Sequence, residues 1–61
     1  MSIKITNLHK EDAWYGYRDE VIGMTGKTVG RIVDMGSWYN LTMIANNGEE
    51  IGFAFCQFEV L

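Results

Sequence analysis

The sequence predicts an all-β domain: a small, strongly bent antiparallel barrel of about five short strands, with a long loop after the first. Three observations carry this. Asn47-Gly48 stands between two apolar alternating runs, Met43–Ala45 and Ile51–Phe55. Asn-Gly at that place is the strongest short-range hairpin signal, because a type I′ turn needs positive φ at both central residues. Turn signals recur along the whole chain at the even spacing that goes with small sandwiches and barrels. Gly30 interrupts a strand pattern, and small barrels bend at such glycines.

Taken in order, Ser2–Thr6 alternates apolar and polar. Ile3 and Ile5 face one side and Lys4 and Thr6 the other, as in a half-buried strand at a sheet edge. Asn7–Arg18 reads as an excursion from the sheet. One helical turn is expected in its first half, capped by Asn7, and Gly16 argues against a longer helix. Leu8, Trp14 and Tyr17 would pack it down, and Glu20–Gly23 returns the chain to the barrel. Gly23 and Gly26 bracket a tight turn. Thr28–Asp34 is the second strand, Met35–Ser37 a loop, and Tyr39–Ala45 the third strand, with Leu41, Met43 and Ala45 on one face. Glu50–Phe55 is its hairpin partner, with Ile51, Phe53 and Phe55 on one face. Cys56-Gln57 breaks the pattern as a 3₁₀ turn, and Phe58–Leu61 is a last strand. The expected core is Ile3, Ile5, Ile22, Ile32, Leu41, Met43, Ile51, Phe53 and Val60.

Size and composition bound the rest. A chain of 61 residues forms one domain, spanning 1–61. Domains this small are marginal and commonly add a disulfide, a metal or a second copy. Cys56 is the single cysteine, which excludes an intrachain disulfide and points to a reducing, cytoplasmic compartment. His9, Glu11 and Asp12 are close in sequence, but no second cluster completes a metal site. No metal or cofactor is expected, and homo-oligomerisation is. The net charge of −3 and five scattered basic residues give no stripe to neutralise phosphates, so nucleic acid is not an expected partner. No run is long enough to span a membrane, and Met1–Lys4 lacks the apolar segment of a signal peptide.

Catalytic patterns do not hold up. Gly26-Lys27-Thr28 mimics the end of a phosphate-binding loop, but its upstream glycine is out of register and a strand follows instead of a helix. The sequence separation of His9 and Cys56 does not forbid a nucleophile–base pair, but nothing supports one, and an exposed His9 and a half-buried Cys56 are expected. Asp12, Asp19 and Glu20 read as a solvated loop. No enzymatic activity is expected.

The aromatic set is the informative one. Phe53, Phe55 and Phe58 suit the core. Trp14, Tyr15, Tyr17, Trp38 and Tyr39 lie in or beside loops, in greater number than end-capping of a barrel requires. Together with Arg18, which suits a phosphate or carboxylate, they form the candidate ligand- or partner-binding set.

Resemblances follow from these residues. Ala13-Trp14-Tyr15-Gly16-Tyr17 resembles the Ala-Leu-Tyr-Asp-Tyr signature of SH3 domains, with Asp19-Glu20 as the loop acids after it and Trp38 as a loop tryptophan. Gly52–Leu61 resembles the SH3 ending, although its proline and groove tyrosine are absent. Gly26–Val33 is similar to the KOW turn-and-strand of ribosomal and elongation proteins. Both families imply an SH3-like barrel. Over most of the chain, Leu8, Asp12–Tyr15, Arg18, Ile22-Gly23, Gly26, the Asn-Gly hairpin and the aromatic ending look like small phage- and prophage-encoded proteins. That likeness implies a cytosolic accessory protein in an infected host and carries no assigned chemistry. The first expectation for its function is a non-enzymatic binding module whose aromatic loop face docks a host protein, as SH3-like barrels often do. A second expectation is a homo-oligomeric sponge that sequesters a nucleotide signal of host defence, with Arg18 or Arg31 on phosphate. A third is a KOW-like nucleic-acid binder. The simplest oligomer is a two-fold dimer that uses some of the loop rings.

Overall fold

In the computed structural model, which describes residues 1–61, four strands close into a barrel in the order β1-β2-β3-β4, every pair antiparallel. They are β1 (Ser2–Leu8), β2 (Thr25–Asp34), β3 (Tyr39–Ala45) and β4 (Glu50–Val60). Between β1 and β2 lie a 3₁₀ turn, Tyr15–Tyr17, and a one-turn helix α1, Arg18–Val21. The helical turns therefore fall in the second half of the excursion, and Asn7 belongs to β1.

Four strands replace the five expected. The anticipated last strand is the end of β4, and Cys56-Gln57 is no turn. It is where β4 changes partners: Cys56 pairs with Tyr39 of β3 and with Leu8 of β1. Residues before it run along β3 and residues after it along β1. Because β1 pairs with both β2 and β4, it is not the edge strand its terminal position suggested.

Three irregularities bend the strands. Gly30, at φ +72°, sits in the register shift between Val29 and Val33, the bend expected there. Thr6 is the extra residue in β1. The third lies in β4 at Ala54-Phe55, where Leu41 pairs with Phe53 but Tyr39 pairs with Cys56. One extra residue flips the side chains after it to the other face. Cys56 consequently points inward and Phe55 does not.

The core is Ile3, Ile5, Leu8, Val21, Leu41, Met43, Ala45, Ile51, Phe53 and Cys56. Six of the nine expected core residues are buried. Ile32 is half-buried against the core, while Ile22 and Val60 are exposed. The helical turn seats Val21 in place of its neighbour Ile22, and Val60 lies at the barrel's rim.

The hairpin tip is where Asn47-Gly48 placed it, but the turn type differs. Only Gly48 has positive φ, +93°. The Gly48 amide donates to the Ala45 carbonyl and the Ala45 amide to Glu49, each at 2.8 Å. This is a three-residue loop closed by a left-handed glycine, not a type I′ turn. Asn47 Oδ1 accepts from the Glu49 amide at 2.9 Å and stiffens it. Gly48→Val should lower stability by about 1 kcal/mol or more, because a β-branched residue resists this φ. A thermal melt checks this, and an unshifted midpoint would contradict it.

Candidate functional site

Closure of the barrel leaves one stretch of backbone in need of partners. β1 parts from β4 after Leu8, and the His9 amide makes a last bond to the Phe55 carbonyl at 3.0 Å. From Glu50 to Ala54, β4 has β3 on one side only. Side chains of the excursion take the place of a strand on the other. Asp12 is 4% exposed. Its Oδ2 accepts from the Phe55 amide and its Oδ1 from the Trp14 amide, each at 2.8 Å. The Trp14 indole N–H donates to the Gly52 carbonyl at 3.1 Å. Backbone bonds from Asp12 to the His9 carbonyl and from Tyr15 to the Asp12 carbonyl complete the fold of the excursion.

Asp12 is thus not the solvated loop acid its polar neighbours suggested. Phe55 is a bulge residue, and a bulge leaves backbone groups without ladder partners. A buried amide without a partner is costly, and a carboxylate is its strongest acceptor.

On this braced excursion sit four of the six expected site residues. The Trp14 and Tyr17 rings lie 5.8 Å apart at 63°. The Arg18 guanidinium stacks 4.4 Å over the Tyr15 ring, and its Nη1 donates to the Tyr15 carbonyl at 2.9 Å. Trp14 and Tyr15 are half-buried against the core, while Tyr17 is 60% exposed and Arg18 is exposed.

Trp38 belongs to a second cluster. Its ring meets His9 edge-on at 5.0 Å, and His9 meets Phe55 at 5.7 Å. Gln57 Nε2 donates to the Ser37 carbonyl at 2.9 Å and Asn7 Nδ2 to Gln57 Oε1 at 3.3 Å, which ties the Trp38 loop to β1 and β4. His9 is half-buried, not exposed, and its Nδ1 accepts from the Glu11 amide at 3.0 Å. Tyr39 packs on Phe58 at 5.1 Å as part of the barrel wall. The two clusters meet through Phe55: its ring touches His9 and its amide is held by Asp12, which also holds Trp14. Sequence reasoning placed Phe55 in the core and gave His9 and Phe55 no site role. The bulge that turns Phe55 outward carries no glycine or proline to announce it.

Cys56 is fully buried, and burial, with the Asp12 carboxylate adding to it, pushes its thiol up to about 12. A protonated, enclosed thiol is a poor nucleophile. Gly26-Lys27-Thr28 lies inside β2, with no helix after it. No three His, Cys, Asp or Glu side chains converge as metal ligands, and no helix is long and apolar enough to cross a membrane. Comparison with protein-family models, with curated proteins and with solved structures gave no match.

Proposed function

We propose that this chain is a non-enzymatic binding protein, an SH3-like barrel of phage or prophage origin that docks a host protein in the cytoplasm through its aromatic excursion. The observation that carries this is the presentation of Tyr17 and Arg18. Both are exposed, yet the segment bearing them is pinned by the Asp12 carboxylate and the Trp14 indole. Rings held in place lose little entropy on binding and give the contact area typical of interface anchors. The closed antiparallel barrel and the sequence resemblances support the same reading.

A second reading draws on the Arg18–Tyr15 stack: a nucleotide-type signal held between subunits of a homo-oligomer, its phosphate on the guanidinium. A KOW-like nucleic-acid binder is disfavoured by the net charge of −3.

Tyr17→Ala/Arg18→Ala removes two exposed side chains and should leave the fold intact. We expect a host protein retained by the wild type to bind this variant at least about tenfold more weakly. Affinity capture followed by calorimetry with the captured protein measures this. Equal affinity would overturn the placement of the site. Heat from cyclic or ADP-ribose-type nucleotides, lost in Arg18→Ala, would favour the second reading.

A further inference from the structure

The outer face of β2, β3 and β4 carries a glycine that the single chain does not explain. Gly26 must be glycine, since a Cβ there would run into the Ile44 carbonyl and lie 2.8 Å from the Ala45 Cα. Gly52 differs. Its φ is not positive, and a Cβ on it would meet only Thr42 Oγ1, at an ordinary 3.8 Å. The indole bond of Trp14 needs only the Gly52 carbonyl, which any residue supplies. Glycine in mid-strand weakens a strand and often marks close approach by something else.

The register shows what surrounds this hollow. One cross-strand row is Lys27–Ile44–Glu50 and the next is Val29–Thr42–Gly52. Ile44, Val29 and Val33, in three successive cross-strand rows of this face with the Gly30 bend between the two valines, are 42%, 43% and 41% exposed. Lys27 flanks Ile44 on the β2 side and Glu50 on the β4 side. Neither has an ion-pair partner in the chain, whose one ion pair joins Lys4 and Glu59.

We infer that a second copy of this chain packs on this face, related by a two-fold axis that lies between the sheets and parallel to β3. Such an axis lays β2 of each copy over β4 of the other. Ile44 then meets Ile44. Val29 of each copy enters the hollow over Gly52 of the other, and Lys27 faces the other copy's Glu50. The face is self-complementary in both shape and charge. Facing sheets pack about 10 Å apart when side chains fill the gap from both sides, and the missing side chain at Gly52 lets the two copies approach closer than that, so that Val29 reaches the glycine backbone. A three-strand face is small, so the dimer is weak, with a dissociation constant on the order of 10–100 μM. This interface differs from the loop rings that the sequence suggested for a dimer. It goes beyond the binding role proposed above and does not depend on it.

Sedimentation equilibrium of the purified full chain tests it. The wild type should dimerise in the stated range. Gly52→Val should weaken the dimer at least about tenfold, and at about 1 μM, where the wild type is monomeric, it should not lower the melting temperature, since valine suits a strand and the hollow is empty in the single chain. Lys27→Glu should weaken it as well, and Lys27→Glu/Glu50→Lys should restore it. Tyr17→Ala/Arg18→Ala should leave it unchanged. A monomer at about 1 mM, a dimer indifferent to Gly52→Val, a lowered melting temperature for that variant at about 1 μM, or a charge swap that fails to restore association would each overturn the inference.

Discussion

Asp12→Ala should cost about 3 kcal/mol or more of folding stability, though it removes a side chain from an excursion and none from the apolar core. Two backbone amides, Trp14 and Phe55, donate to this carboxylate. Hydrogen bonds to a charged group contribute roughly 1.5–3 kcal/mol each, and a buried amide left unpaired carries its own penalty. Domains of this size have a total stability near the low end of about 5–15 kcal/mol. Loss of Asp12 therefore removes much of it and frees the excursion from β4. Asp12→Asn separates shape from chemistry. The amide is isosteric, but it offers one oxygen where two are needed and points an N–H₂ at a second donor. It should lose most of what alanine loses. Urea denaturation gives both values, and a loss under about 1 kcal/mol for Asp12→Ala would show that the carboxylate is not the pin.

Phe53→Ala should unfold the domain at room temperature. Phe53 is the largest fully buried side chain, set against Leu41 across the β3–β4 ladder. Truncating such a ring costs about 3–5 kcal/mol, part transfer and part cavity. Phe55→Ala is the companion experiment. Two residues along the same strand, its ring is only half-buried and rests on His9, so its loss should cost about 1 kcal/mol. This contrast tests the bulge. Without it the two phenylalanines share a face, and comparable losses would place the register shift elsewhere. Circular dichroism and urea titration of both variants decide the matter.

Much of the barrel was legible because backbone chemistry and local periodicity agree there. Tyr39–Ala45 forms the expected strand, and Leu41, Met43 and Ala45 face inward as a period of two requires. Gly30 marks a real bend. The hairpin was legible but its turn type was not, since Asn46 and Asn47 suit either two or three loop residues. At Ile51–Phe55 the alternation runs unbroken through the bulge, so periodicity misassigned Phe55 and hid the burial of Cys56. Val21 and Ile22 are adjacent and equally apolar, and only the helical turn selects the first.

The candidate site was less legible for a related reason. Trp14, Tyr15, Tyr17 and Arg18 are neighbours in sequence, so one excursion brings them together. What fixes them is an acid read as solvated. A local signal existed, because Asp12 accepts from the amide two residues on, the habit of Asx turns. Its second partner, the Phe55 amide, lies 43 residues away, and no local pattern reaches it.

Side chains of the excursion stand in for a strand along β4 and hold the aromatic surface in place. Amide hydrogen exchange followed by NMR reads this directly. The Phe55 and Trp14 amides should be protected to the same degree as amides of the β3–β4 ladder, and in Asp12→Asn should fall well below the ladder, whose own protection drops only by the variant's global loss of stability. Wild-type Phe55 and Trp14 amides that exchange at the rate of an unstructured chain, with the ladder still protected, would show that the Asp12 carboxylate does not hold the excursion on β4.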